Sequence, residues 1–274
     1  MIDFSVELIT KGEKSLIQSL DSISKQSYDS LEIVCANSST DQKTEKILDD
    51  YSARYLIAGP VKHLRGRELA HSISKGKYSL IMDSTRLLKQ DALEVLKTYI
   101  EQYDMVAIKE GSLGSGFWVE QARVYRNFTE RNSTSKFISE KIPSYILPRL
   151  FRSDILSEVF LSLRKKIPSK LFDSIGYGEH HIIFEEAMSF TSSLYYYKES
   201  ALLEHYEDLS LSSIYRKYKS YGKDQKTLED LPCYNASHLL AHSRKINMSQ
   251  LLCNLICSPL ISARTISFLL GRFL

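Results

Sequence analysis

Short apolar runs alternate with longer amphipathic segments in the first 110 residues of the chain. The apolar runs predict buried strands at residues 4–9, 31–36, 55–58, 78–82 and 105–108. Between them, apolar residues recur every three or four positions, which predicts helices at residues 15–24, 66–74 and 91–103, and one that ends near residue 51. Strands and helices that alternate with short loops are typical of an α/β fold, in which helices flank a mostly parallel sheet.

The pattern is less regular after residue 110. Gly111, Gly114 and Gly116 predict a flexible stretch, and Pro143 and Pro148 predict breaks in the chain. Helices are predicted at residues 118–131, 182–190 and 211–221, and strands at residues 194–197 and 202–205. We therefore expect one domain made of two parts, residues 1–110 and residues 111–230, followed by a helical tail of residues 231–274.

The tail is apolar in composition. No charged side chain occurs between Lys245 and Arg264, a length that approaches a membrane span. Several polar residues and Pro259 interrupt it, so residues 249–274 are predicted to form a pair of helices that lies on a membrane surface. The same pattern is typical of a segment that packs on its own domain or forms a contact between copies of the chain.

Composition changes this picture only slightly. The chain has 274 residues, of which 43% are hydrophobic and 25% charged, as in ordinary globular proteins. Its formal net charge of +3 is too small to indicate a nucleic-acid partner. Four cysteines without the spacing of a disulfide framework, and a start without a signal-peptide pattern, favour a cytoplasmic protein. The tail would hold it peripherally at the inner face of a membrane.

Ligands of parallel α/β sheets bind at the carboxyl ends of the strands, so residues that follow each predicted strand are candidates for chemistry. Asp83 follows one such strand, and the hydroxyls of Ser84 and Thr85 come next. A carboxylate with nearby hydroxyls can bind a ribose, or a hard cation that neutralises a diphosphate. A strand-end turn without a ligand is the alternative, because Asp and Ser are common turn residues.

Two further groups lie at predicted helix starts. Arg67 would stand where a helix N-terminus favours anions, and its guanidinium can bind phosphate through two hydrogen bonds. A solvated surface arginine is the alternative. Glu179 and His180 place a carboxylate beside an imidazole, and either could act as a general base. The alternative for this pair is a polar helix start, where the helix dipole favours glutamate.

These residues belong to a longer pattern. Its segments are residues 22–26 (SISKQ), 32–41 (EIVCANSSTD), 66–70 (GRELA), 75–78 (KGKY) and 80–85 (LIMDST). In order and spacing they resemble the family 2 glycosyltransferases of GT-A fold. The resemblance covers roughly residues 4–222 and is strongest before Leu93. It continues more weakly at residues 148–154, 178–180 and 204–206.

The resemblance implies a GT-A, Rossmann-like fold and an inverting glycosyltransferase. Such an enzyme moves a sugar from a nucleoside-diphosphate sugar to a hydroxyl or phosphate of an acceptor, either a polyprenyl-linked molecule or a growing cell-surface glycan. Residues 1–110 would bind the donor and residues 111–230 the acceptor. The implied donor-binding residues are Thr10, Asn37, Arg67, Asp83 and Ser84, the implied ligands of a divalent cation (Mn²⁺ or Mg²⁺) are Asp83, Thr85 and His205, and the implied general base is Glu179 or His180.

Three positions depart from the family pattern. Ala36 stands where the family has the aspartate that reads the nucleobase, so Thr10 or the backbone would have to do so. Thr85 replaces the second aspartate of the metal motif, and a neutral hydroxyl is a poorer ligand. His180 replaces the aspartate that acts as base, although an imidazole can accept a proton near neutral pH. The alternative function is a degenerate, non-catalytic GT-A domain that binds a sugar nucleotide or a partner protein.

Overall fold

A computed structural model of the chain describes residues 2–131, 147–207, 209–229 and 256–273. The strands are β1 (Phe4–Thr10), β2 (Leu31–Asn37), β3 (Arg54–Ile57), β4 (Tyr78–Asp83), β5 (Arg86–Leu88), β6 (Met105–Ile108), β7 (Glu110–Leu113), β8 (Pro148–Arg152), β9 (Leu194–Tyr197) and β10 (Leu203–Tyr206). The helices are α1 (Leu16–Ser24), α2 (Gln42–Asp50), α3 (His63–Ser72), α4 (Ala92–Ile100), α5 (Phe117–Arg131), α6 (Ser153–Lys166), α7 (Ser169–Phe172), α8 (Glu179–Ala187), α9 (Leu211–Glu229) and α10 (Ser258–Phe273).

Seven strands form a central sheet in the order β3-β2-β1-β4-β8-β6-β9, and all but β8 run parallel. Neighbouring residues of β4 belong to different apolar clusters: Leu80 and Met82 pack with α1 and α4, and Ile81 packs with α6 and α8. Successive side chains of a strand point to opposite faces, so both faces of the sheet are covered. The predicted α/β fold with a mostly parallel sheet is confirmed.

A second, smaller sheet has the order β5-β10-β7. Strand β7 spans part of the stretch that the glycines predicted to be flexible, so that prediction is wrong there. A Cβ on Gly111 would lie 2.0 Å from the carboxylate of Glu204, so a larger residue there would displace that side chain. The small sheet places β5 and β10 beside the carboxyl end of β4, with Arg86 paired to His205.

Strand β8 also differs from the prediction, which placed a chain break at Pro148. Pro148 is the first residue of β8 and lies opposite Ala107, where the register of the β6–β8 pair shifts. Proline lacks an N–H donor and is accommodated at the first residue of a strand or at a bulge. Pro148 therefore marks the start of a strand of the central sheet and does not interrupt the fold. Pro143 lies outside the described residues.

The tail packs on the domain where the structure describes it. Helix α10 lies along α9 at very short distance, because a Cβ on Gly271 would be 1.9 Å from the carbonyl oxygen of Lys219. A Cβ on Gly222 would be 2.0 Å from the carbonyl oxygen of Phe268. Residues 249–255 of the predicted helix pair lie outside the described residues. In the described part of the chain, none of the helices combines the length and the apolar character that a membrane span requires.

Candidate functional site

A cleft of about 580 Å³ opens at the carboxyl ends of β1 and β4, facing the start of α8 and one side of α9. Six of the nine predicted site residues line it: Asp83, Ser84, Thr85, Glu179, His180 and His205. Thr10 lines a smaller pocket next to it. Arg67 and Asn37 are buried and do not belong to either lining.

Asp83, the last residue of β4, has its carboxylate held by two arginines. Arg67 Nη2 donates a hydrogen bond to Oδ1, and Arg86 Nη1 donates to Oδ2. Arg67 Nη1 also donates to the main-chain carbonyl of Met82. Each oxygen of the carboxylate thus accepts a charge-assisted hydrogen bond, which fixes its orientation at the end of the strand.

Arg67 is neither at a helix start nor on the surface. Helix α3 begins at His63, three residues before the predicted start at Gly66, so Arg67 lies in its second turn. The helix was predicted from Leu69, Ala70 and Ile73, which do not mark where its first turn begins. The side chain of Arg67 is 1% exposed, and burial lowers its pKa to about 10. It remains charged at neutral pH and supports Asp83 from beneath the cleft.

Glu110 on β7 accepts hydrogen bonds from Arg86 and from two further arginines. Arg86 Nε donates to Oε1 over 3.2 Å, Arg126 Nη1 donates to Oε2 over 3.1 Å, and Arg149 Nε donates to Oε1. Burial opposes the charge of Glu110, but the arginines outweigh it and hold its pKa well below the usual value. We call the connected set the charged cluster: Asp83, Glu110, Glu179 and Glu207 with Arg67, Arg86, Arg126 and Arg149.

Glu179 is the first residue of α8 and follows Gly178, whose φ of 81° is a left-handed conformation that favours glycine. Its Oε1 lies 3.4 Å from His180 Nε2, 3.7 Å from Arg67 Nη2 and 3.8 Å from His63 Nδ1. Burial opposes ionisation, but His63 and the buried, charged Arg67 hold the pKa of Glu179 below its usual value. The carboxylate is therefore ionised and lines the cleft.

His180 differs from its neighbour because its ring nitrogen is already engaged. Nε2 lies 3.4 Å from Arg67 Nη2 and 3.2 Å from Arg149 Nη1. A guanidinium can only donate hydrogen bonds, so Nε2 must accept them and is unprotonated. Burial and the nearby arginines hold the pKa of His180 well below its usual value. The imidazole is neutral and poorly placed to take up a further proton.

Glu13, in the turn after β1, joins two of the predicted residues. Its Oε2 accepts hydrogen bonds from the hydroxyl of Thr10 at 2.8 Å and from the hydroxyl of Ser84 at 2.6 Å. Burial raises the pKa of Glu13, but these bonds and one from the main chain of Lys11 outweigh it and lower the pKa. Thr10 and Ser84 thus orient an ionised carboxylate in the cleft wall, a role that sequence reasoning missed.

Asn37 shapes the loop after β2. It is fully buried, and its Oδ1 accepts a hydrogen bond from the main-chain nitrogen of Ser39 over 2.9 Å. Its Nδ2 has no partner within the described ranges. Its predicted contact with the donor stays a prediction.

Several other cleft residues were not predicted: Lys62, His63, Tyr177, Lys217, Tyr221 and Asp224. Arg86 belongs to the stretch after β4 where chemistry was expected, and it lines the cleft, but no role was predicted for it. Lys217 and Tyr221 come from α9, whose richness in Lys, Arg and Tyr was visible, but nothing local indicated that it faces the ends of β1 and β4.

The predicted cation ligands line the same cleft, yet their chemistry does not fit a divalent cation. Both oxygens of Asp83 are bound by arginines, and Thr85 offers a neutral hydroxyl. His205 Nδ1 lies 3.2 Å from Arg126 Nη2 and 3.3 Å from Glu207 Oε1. Among the residues that the structure describes, no group of three or more His, Cys, Asp or Glu could hold a metal ion. The cation site stays a prediction that this donor set does not favour.

Comparison with known proteins places the chain in a family. Residues 5–160 match the model of glycosyl transferase family 2. The glycosyltransferase GlyG of Streptococcus pneumoniae serotype 4 is 21% identical, over 72% of this chain and 70% of GlyG.

Solved structures show the same fold. TarS of S. aureus, residues 1–349 in complex with UDP-GlcNAc, superposes with a TM-score of 0.59 at 16% identity, over 97% of this chain and 73% of that chain. A longer TarS structure has a TM-score of 0.56 at 18% identity, and the match covers 97% of this chain but only 44% of TarS. The mannosyltransferase PcManGT from Pyrobaculum calidifontis, in complex with GDP-Man and Mn²⁺, has a TM-score of 0.53 at 14% identity, over 96% of this chain and 73% of that chain.

The family model matches more than half of the 274 residues, including the strands that end at Asn37 and Asp83. The chain therefore belongs to glycosyl transferase family 2, which supports transfer of a sugar from a nucleotide sugar as its activity.

Proposed function

We propose that the protein is an inverting glycosyltransferase that moves a sugar from a nucleoside-diphosphate sugar to a hydroxyl or phosphate of an acceptor. The observation that supports this best is the cleft at the ends of β1 and β4, which is lined by the ionised Glu179 and by the cationic side chains of Arg86, Lys62 and Lys217. Fixed positive charges stabilise the negative charge that develops on a leaving diphosphate. The acceptor is a glycan or a lipid-linked molecule.

Glu179 is the general base in this proposal. It is ionised and lines the cleft, whereas His180 Nε2 already accepts hydrogen bonds from Arg67 and Arg149. In a single displacement the acceptor oxygen attacks the anomeric carbon, the bond from that carbon to the diphosphate breaks, and Glu179 takes the acceptor proton. The diphosphate leaves with the bonding electron pair, and the anomeric configuration is inverted.

A panel of nucleotide sugars tests the proposal. UDP-GlcNAc, UDP-glucose and GDP-mannose are each mixed with the protein, and release of nucleoside diphosphate and the unfolding temperature are measured. We expect one donor to raise the unfolding temperature and to be turned over, and Asp83→Ala to abolish turnover while the fold remains intact. Unchanged turnover in Asp83→Ala would contradict the predicted part of Asp83 in binding the donor. Stabilisation without turnover in the presence of acceptor extracts would favour the non-catalytic alternative.

The outer face of α10 supports a membrane-bound setting for the acceptor. Ile266, Leu269 and Phe273 are 58%, 44% and 72% exposed, and their spacing places them on one face of the helix. Arg272 lies on the same helix, beside Phe273, and complements anionic headgroups. We expect the protein to sediment with anionic phospholipid vesicles, and Leu269→Ser with Phe273→Ser to release it. A dimer in solution with no vesicle binding would indicate a contact between copies instead.

A further inference from the structure

Arg86 occupies a special place in the cleft. It is the first residue of β5, three positions after Asp83, and it pairs across the small sheet with His205. It thus lies between two of the three residues that the family resemblance implies as ligands of a divalent cation. Its side chain is only 11% exposed, yet it lines the cleft.

Two of the three guanidinium nitrogens of Arg86 are fixed by carboxylates. Nη1 donates to Asp83 Oδ2, and Nε donates to Glu110 Oε1 over 3.2 Å. The third nitrogen, Nη2, has no hydrogen-bond partner among the described residues, and it is not sealed off from solvent. The guanidinium is therefore held in one orientation and retains a donor group for a ligand in the cleft.

The same contact makes Asp83 a poor cation ligand. Its other oxygen is bound by the buried Arg67, so a cation would have to displace a guanidinium before it could reach the carboxylate. Thr85, which replaces the second aspartate of the family motif, adds no charge. Thr85 removes a carboxylate that would attract a cation. The next residue along the chain supplies a positive charge of its own at the same place.

Resting on the function proposed above, we propose that Arg86 takes the place of the divalent cation and binds the donor diphosphate directly. The diphosphate of the donor accepts hydrogen bonds from Nη2 and Nη1, and the positive charge stabilises the leaving nucleoside diphosphate when its bond to the sugar breaks. Arginine matches phosphate oxygens with a rigid, two-donor fork. Burial lowers the pKa of Arg86 to about 10, which leaves it charged at neutral pH.

The test measures binding of UDP and of GDP by calorimetry, once in EDTA and once in excess Mn²⁺. We expect the tighter of the two nucleotides to bind the wild-type protein with the same Kd in both buffers, within a factor of about two. Arg86→Gln should weaken that binding roughly 10- to 100-fold in EDTA, the range expected for a lost charged hydrogen bond. Arg86→Lys keeps the charge but loses the two-donor geometry. Its Kd should lie between that of the wild-type protein and that of Arg86→Gln.

Arg152→Gln is the matched control. Arg152 is also ion-paired, with Asp104 and Asp154, but it ends β8 opposite Tyr78, at the other edge of the central sheet. Its substitution should leave the Kd unchanged.

The outcomes separate this proposal from the function on which it rests. Binding that is lost in EDTA and restored by Mn²⁺ would overturn the role of Arg86 and leave the glycosyltransferase proposal standing. An unchanged Kd in a folded Arg86→Gln protein would also overturn it. If neither nucleotide, nor any sugar conjugate of the panel, binds in either buffer, both proposals are wrong.

Discussion

The charged cluster and the α9–α10 helix pair are held together by opposite kinds of contact. In the cluster, eight acidic and basic side chains from distant parts of the chain are joined by ion pairs. In the helix pair, Gly222 and Gly271 let two backbones approach closely. The cluster depends on charge balance, because an unpaired buried charge is costly. The helix pair depends on shape, because the interface has no room for an added methyl group.

The largest expected effect concerns catalysis. Glu179→Gln removes the proposed base without changing its size, so we expect turnover to fall by about 10²- to 10⁴-fold, the usual contribution of a general base. Steady-state release of nucleoside diphosphate measures it. The control is Glu186→Gln, which lies on the same helix, is bound to Lys166 and is not part of the cleft wall. Equal turnover in the two variants would show that Glu179 is not the base.

The next effect concerns stability within the charged cluster. Arg67→Met leaves Asp83 and Glu179 without their buried partner, so we expect the free energy of unfolding to fall by about 3–5 kcal/mol, as when one member of a buried pair is removed. Urea denaturation measures it. A loss below 1 kcal/mol would mean that solvent in the cleft replaces the arginine. The stability of the cluster would then not depend on charge balance, contrary to the comparison with the helix pair.

A smaller effect is expected in the helix pair. Gly271→Ala places a methyl group 1.9 Å from the carbonyl oxygen of Lys219, and the helices must separate to accommodate it. We expect a loss of about 1–3 kcal/mol, with unchanged turnover per folded molecule. Ser262→Ala, at an exposed position on the same helix, is the control and should have no measurable effect on the unfolding temperature.

The smallest effect concerns pH. Burial and Arg86 lower the pKa of His205 to about 4, below its unfolded value near 6.5. The unfolded chain therefore binds more protons than the folded one between these values, and stability declines as pH falls through this range. We expect the stability of the His205→Asn protein to decline less than that of the wild-type protein between pH 6.5 and pH 4. Identical unfolding temperatures at every pH in the two proteins would contradict this.

The N-terminal half was more predictable than the site as a whole. Its strands are apolar runs whose carboxyl ends follow directly from the chain order, so Asp83 and Ser84 could be placed at one edge of the sheet. The partners of Asp83 could not be found this way. Arg67 was predicted at the start of a helix, and only packing of α3 on β1 shows that Arg67 is buried.

The second half was less predictable because its contacts are distant in sequence. Arg149 and Glu110 meet across 39 positions, and Arg126 and Glu207 across 81. No local pattern encodes such pairs. Strand β8 has only a short apolar run between two arginines, so it was hard to recognise in the sequence. The proline at its start favoured a chain break over a strand. The choice between Glu179 and His180 likewise depended on which guanidinium groups surround His180.

Hydrogen exchange with and without nucleotide sugar tests the central claim, that the cleft at the ends of β1 and β4 binds the donor. UDP-GlcNAc or GDP-mannose is used, whichever raises the unfolding temperature. We predict slower exchange at residues 9–13, 83–86 and 176–181, and no change at the opposite edge around Arg152. Protection confined to that opposite edge, or to the α9–α10 pair, would contradict the account.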